Sequence, residues 1–257
     1  MASTSTDVPG AAAPRSARVA DEIAAVILRD LGPGARMPSE AELAEQHKVS
    51  RLTVREAIKM LSGRGLLDVG RGRRATVREP SGATFGGFLS AVMKHDPKGL
   101  LDLIEVRQAL EVQSASSAAR QANRAGIAAA EHALDAMREA AERFDEADMV
   151  SAERDFVEAD VAFHEALALC SGNRMLAYLL EAMAVPLRDS FAFSMRGREL
   201  RGGDRSEVLA GHTRILDAVR AGDSRRAAGE MRAHLRDAER DIRVAMRLPF
   251  APERNEG

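Results

Sequence analysis

Two serines, Ser39 and Ser50, each stand directly ahead of a helical stripe, with room between them for only a short helix and a tight turn. In Pro38-Ser39-Glu40-Ala41-Glu42 the serine hydroxyl can accept from the free amides of a starting helix, and Glu42 completes a capping box. That helix ends near His47. After Lys48-Val49, Ser50 offers a second cap, and Val54, Ala57, Ile58 and Leu61 then recur at helical spacing up to Gly63 and Gly65.

An earlier stripe, Val19, Ile23, Val26 and Ile27, ends at the breaker Gly32-Pro33-Gly34. Beyond the capped pair, Leu66-Leu67-Asp68-Val69 and Ala75-Thr76-Val77 are strand-like, and the glycines of Gly70-Arg71-Gly72-Arg73-Arg74 suit the turn between them. The order is therefore three helices and a hairpin. Glu79-Pro80-Ser81-Gly82-Ala83 separates this unit from the rest of the chain. The remainder reads as amphipathic helices at roughly 88–94, 98–122, 125–143, 148–170, 174–195, 205–221 and 224–246, with no strand expected. Aromatic residues are only 4% of the chain and Trp is absent, which favours helices packed through small residues. The expected fold is mainly α: a winged helix-turn-helix at 15–78, a linker at 79–86 and an all-α antiparallel bundle at 87–247. Flexible tails are expected at 1–14 and 248–257.

Cys170 is the only cysteine, which excludes an internal disulfide and a four-cysteine zinc module. The polar start has no basic and apolar leader, and no run approaches the ~18 apolar residues of a membrane span. A cytoplasmic protein without membrane contact is expected.

Charge is unevenly distributed. The whole chain carries −2, yet Arg15 to Pro80 holds 13 Lys and Arg against 9 Asp and Glu. On the helix after Ser50, Arg51, Arg55 and Lys59 are spaced by four on a strip separate from the apolar one. Arginines near a helix start can reach guanine O6 and N7 in a major groove, while Ser39, Ser50 and Thr53 suit phosphate contacts. Arg71, Gly72 and Arg73 at the hairpin tip suit phosphates or a minor groove. An ordinary solvated face is the alternative for the three basic residues alone.

The stretch PSEAELAEQHKVSRLTVREAIKMLSGRGLLDVGRGRRATV resembles the winged helix-turn-helix of GntR-family regulators. The resemblance implies DNA contact by Ser50, Arg51, Thr53 and Arg55, with Gly72 in the wing nearby. Ala41 stands where many members carry a basic residue, so the contact expected there is missing.

Farther along, Asp160 and His164 lie four apart on the stripe that carries Val157, Val161 and Leu167. His212 sits among Val208, Leu209, Ile215, Leu216 and Val219, and His234 among Ala227, Met231, Leu235 and Ala238. Each alone fits a hydrogen-bonded core residue. Together, burial without partners would cost several kcal/mol, and a divalent metal would satisfy all four groups. Nitrogen and oxygen ligands suit Zn, Ni, Mn or Fe, with Zn slightly preferred. His47, His95 and His132 lie at helix ends or on polar stretches and are expected at the surface.

DLIEVRQALE, DVAFHEAL, SGNRML, GHTRILDAVRAGD and MRAHL resemble the FadR-type ligand-binding domain of the same family. The resemblance implies a metal on Asp160, His164, His212 and His234, with Arg107 facing the same cavity. A buried Arg107 suits an organic or sugar acid effector, and Arg188 and Ser190 are further pocket candidates. The alternative for Arg107 is a permanent salt bridge to Glu111 or Asp160. The expected protein is a homodimeric regulator, a repressor by preference, on a palindromic operator. No catalytic residue is assigned. The alternatives are a hydrolase using the metal site, for which no inward general base is evident, and a purely structural metal.

Overall fold

The computed structural model describes residues 14–70, 72–94, 98–145 and 149–247. The chain divides into two compact units, residues 1–84 and 85–257.

In the first unit, α1 (Arg15–Asp30) and α3 (Arg51–Gly63) pack their stripes together, with α2 (Glu40–Gln46) beside α3. Val19, Ile23 and Ile27 meet Val54, Ala57 and Leu61 in one apolar cluster, whereas Val26, which the spacing assigned to the stripe, is exposed. Both caps form: Glu42 N donates to Ser39 Oγ at 3.2 Å, Ser39 N donates to Glu42 Oε2 at 2.6 Å, and Thr53 N donates to Ser50 Oγ at 3.1 Å. The turn between α2 and α3 places Lys48 at φ 52°, a left-handed conformation that L side chains rarely adopt.

β1 (Leu67–Asp68) and β2 (Thr76–Val77) pair antiparallel, Leu67 opposite Val77. The sequence reading missed a third edge. After Gly34 turns at φ 78°, Arg36 bridges Thr76, and Met37 N donates to Ala75 O at 2.8 Å. Burial of Met37 between the helices and the hairpin holds that segment extended.

The second unit is built from α4 (Ala83–Lys94), α5 (Gly99–Gln121), α6 (Arg124–Glu142), a 3-10 turn at Arg143–Asp145, α7 (Met149–Cys170), α8 (Arg174–Leu200), α9 (Arg205–Arg220) and α10 (Ser224–Met246). Asn123, Asn173, Asp204 and Asp223 each cap the next helix by accepting from its first amides. Alanines let the helices approach: Ala130, Ala133, Ala140, Ala159 and Ala166 share one cluster with Phe156, Phe163 and Leu216. At Gly126 a Cβ would come within 2.6 Å of the Cys170 Cβ, and at Gly197 it would collide with the Asp241 carbonyl.

Two expected boundaries move. α8 continues to Leu200 rather than ending near 195, and it does so through Pro186. Proline has no N–H to give the Ala182 carbonyl four residues back. Gly86 of α4 lies against that carbonyl, where a Cβ would come to 2.9 Å. α4 begins at Ala83, so the segment expected as a linker to 86 is partly helical. The expected tails fall outside the described residues, apart from Pro14, whose carbonyl accepts from Ala17 and Arg18 at the start of α1.

Candidate metal centre and nucleic-acid interface

Because α3 turns Val54, Ala57, Ile58 and Leu61 inward, it must turn Arg51, Arg55 and Lys59 outward, and all three are exposed. Arg55 is held there by α2: its Nη2 donates to Glu40 Oε2 at 2.8 Å. The same bond holds the Glu40 carboxyl below its ordinary pKa. Sequence reasoning missed Glu40 as the residue that fixes the Arg55 pose, since the two are fifteen residues apart. Ser50 Oγ and Thr53 Oγ1 lie 2.9 Å apart at the start of α3, and Ser39 is committed to its own capping box. In the wing, Gly72 takes φ 74° and Arg73 is exposed, while Arg71 lies outside the described residues. Arg36, Arg74 and Arg78 share a surface hollow with Arg73. Arg36 was missed because only the third edge brings it to the wing.

In the second unit, α7 supplies Asp160 and His164, α9 supplies His212 and α10 supplies His234, with ligand atoms all within 4.8 Å of one another. The orientation of two rings is set from behind. His212 Nδ1 lies 2.9 Å from the Val208 carbonyl, which only an N–H can satisfy, so Nε2 is the nitrogen turned toward the site, where it can take a metal or a proton. His164 Nδ1 lies 2.5 Å from Glu111 Oε2, although off the line of a full hydrogen bond, and that carboxylate favours its proton on Nδ1. The two Nε2 atoms then face each other at 3.3 Å, and Asp160 Oδ1 lies 3.2 Å from His212 Nε2.

Lone pairs brought together in a buried place repel unless a cation or a proton sits between them, so this donor set fits a metal ion. Burial, and then the neighbouring His212 and His164, push His234 well below its ordinary pKa of 6.5, which keeps it neutral and able to ligate. Burial would raise Asp160, but the bond from His212 and the surrounding positive groups hold it at about 2. Both shifts favour the protonation states a metal requires.

Arg107 takes the bland alternative: its Nε donates to Glu111 Oε1 at 2.5 Å, both side chains being buried. Burial alone would lower the Arg107 pKa, and Glu111 more than offsets it. Glu111 itself is held at about 2, burial opposing and Arg107 and His164 prevailing. Its position four residues after Arg107 was the available signal; its second contact, with His164, was not legible.

Arg107, Asp160, His234 and Ser190 line a cavity of about 40 Å³, together with Arg198 of α8. Ser190 Oγ donates to the Leu187 carbonyl at 2.8 Å. Arg188 is not among the lining residues: its guanidinium makes a two-pronged pair with Glu158 of α7, both contacts at 2.7 Å. His47 contacts Glu22 at 2.8 Å and is half-buried rather than at the surface, His132 is exposed, and His95 lies outside the described residues.

Comparison with known proteins agrees with both units. Residues 15–77 match the family model described as bacterial regulatory proteins, gntR family, and residues 102–237 match the FCD domain. The chain is 33% identical to the HTH-type transcriptional regulator LutR of Bacillus subtilis (strain 168), covering 82% of this chain and 92% of that protein. It is 27% identical to the Glc operon transcriptional activator of Escherichia coli (strain K12), covering 87% of each. Among solved structures, Streptococcus agalactiae GntR aligns with TM-score 0.66 at 26% identity, covering 88% of this chain and 99% of that one.

Proposed function

The chain belongs to the GntR family of bacterial regulatory proteins, with an FCD domain behind its DNA-binding module, and from that premise we propose that it senses a metal-bound organic acid and passes the signal to an operator. It is a DNA-binding transcription regulator and not an enzyme, which ends the hydrolase alternative. No helix among the described residues is long and apolar enough to cross a membrane. A cytoplasmic location is part of the proposal.

α3 enters a major groove, with Arg51 and Arg55 on base edges and Ser50, Thr53 and Ser39 toward phosphates. Gly72 and Arg73, with Arg71, form the wing contact. The functional segments are 15–78 for DNA and 87–247 for sensing.

Asp160, His164, His212 and His234 hold one divalent ion, Zn before Ni, Mn or Fe because the four ligands converge as a compact nitrogen-rich set. When bound, the ion supplies a Lewis-acid anchor for a small organic or sugar acid. The single observation that carries this reading is the facing pair of Nε2 atoms at 3.3 Å, each with its ring oriented from the far side. Ser190 and Arg107 line the effector cavity, Arg107 as a donor whose charge is balanced by Glu111. Arg188, turned to Glu158, is left out of the effector set.

An exposed apolar row on α4, Phe85, Phe88 and Val92, supports a second copy of the chain and hence a palindromic site. Repression is the sign proposed, since a dimer seated on an operator blocks transcription by occupancy alone. The test titrates metal-loaded protein against its own upstream DNA with and without short hydroxy acids and sugar acids. Release of DNA by an acid only when metal is present supports the reading, and acid response unchanged by chelation defeats it.

A further inference from the structure

Ser190, Ser194 and Arg198 succeed one another at intervals of four along α8 and all line the cavity, making a polar stripe on a helix whose neighbouring lining residues, Leu187, Phe191 and Met195, are apolar. Arg198 is the notable member. Its side chain is only 6% exposed, its Nη1 meets Glu207 Oε2 at 2.8 Å and its Nη2 meets Asp241 Oδ2 at 2.7 Å. Its third guanidinium nitrogen, Nε, is buried and has no hydrogen-bond partner among the described residues. A buried donor of a charged group left unsatisfied is costly, and a ligand oxygen in the adjoining cavity is the natural acceptor.

We propose that Arg198, backed by Ser194 and Ser190, forms the second end of the effector site and reads an uncharged oxygen of a short acid whose carboxylate lies at the Arg107 and metal end. The proposal rests on the metal-and-acid reading above. The charges that line this small cavity set the ligand class. Formal charges leave room for one anion: Arg107 cancels Glu111, while Arg198 and Arg201 cancel Asp241 and Glu207. Asp160 against a divalent ion then leaves a single positive charge, which one carboxylate neutralises. A second carboxylate would enter next to Asp241 and Glu207 already occupying the Arg198 fork. The distal group is therefore a hydroxyl or carbonyl, as in a dihydroxy monocarboxylate.

The test uses full-length, zinc-loaded protein and calorimetric titration with glycerate, lactate and malate. Glycerate has the distal hydroxyl, lactate lacks it, and malate replaces it with a carboxylate. Wild type is expected to bind glycerate about tenfold more tightly than either of the others. Arg198→Lys keeps a charge for Asp241 but removes Nε, and Ser194→Ala removes one hydroxyl from a half-buried position with little risk to the fold. Both are expected to lower glycerate affinity and leave lactate affinity within about twofold. If acids bind zinc-loaded wild type but the preference is absent, or survives in both variants, the Arg198 proposal falls and the metal-and-acid reading stands. If none of the three acids binds, or binding is the same after chelation, both fall together.

Discussion

In the first unit the core is Val19, Ile23, Ile27, Val54, Leu61 and their neighbours, with arginines and serines kept outside. In the second, Arg107, Glu111, His164, Arg198, His212 and Asp241 are buried, and none of the buried polar or charged side chains among the described residues precedes Arg107. The difference fits the partner each unit is proposed to meet. A DNA duplex is a large charged surface that a flat basic face can approach while its helix backs onto an ordinary apolar core. A small acid must be enclosed and stripped of water, so its recognition groups go inside, where each needs a partner. The response of the second unit to protons therefore turns on inward-facing groups, His234, Asp160 and Glu111, whereas that of the first rests on surface pairs such as Arg55 with Glu40.

Each prediction presses on this division. The largest effect is expected from Arg51→Ala with Arg55→Ala, which should weaken operator binding by roughly a thousandfold, since each base-reading arginine contributes about 1–3 kcal/mol. Metal content should not change. Gel shift at fixed salt beside elemental analysis checks both, and unchanged DNA affinity would remove α3 as the reading helix.

His212→Ala acts on the other side. It should reduce metal affinity by roughly a hundredfold or more and abolish stabilisation by added zinc, while DNA binding without effector persists. A variant that still holds one metal per chain after dialysis would refute the four-residue site.

Glu111→Gln is subtler, because no ligand is lost. The amide would satisfy Arg107 Nε but no longer favour the Nδ1 proton of His164, so metal affinity should fall about tenfold to a hundredfold. Competition with a chromogenic chelator measures it, and wild-type affinity would reduce Glu111 to a partner of Arg107 alone.

Acid should weaken the second unit more than the first. In chelated protein His234 is neutral when folded but takes a proton near pH 6.5 when unfolded, so the unfolded chain binds more protons and stability falls as pH drops below that value. Asp160 and Glu111, both at about 2 when folded, extend the loss in the same direction below their ordinary 3.8 and 4.5. Melting temperature should drop by a few degrees between about pH 7.5 and 5.5, with a flatter profile in His234→Leu. Equal slopes in the two proteins would contradict it.

The smallest effect belongs to the first unit. Ala41 is exposed on α2, and Ala41→Arg should restore a phosphate contact, raising DNA affinity a few-fold on all sequences and steepening the salt dependence by about one counterion. A change confined to one operator sequence would instead indicate a base contact.

The amino-acid sequence by itself determined whatever depends on neighbours within a turn or two. Ser39 with Glu42, and Ser50 with Thr53, specify their caps locally, and the spacing of Val54, Ile58 and Leu61 decides that Arg51 and Arg55 face outward. Spacing of four likewise put Asp160 and His164 on one face of α7. Only tertiary structure decided which faces meet. It brought His212 Nε2 to His164 Nε2 across 48 residues, and it gave Glu111 a second partner beyond Arg107. Packing also turned Arg188 to Glu158, added Arg36 to the wing, and carried α8 past Pro186 with Gly86 against the Ala182 carbonyl. The reason is physical: periodicity records which side of a helix is buried, while the partner on the other side is chosen by non-local packing that no local spacing encodes.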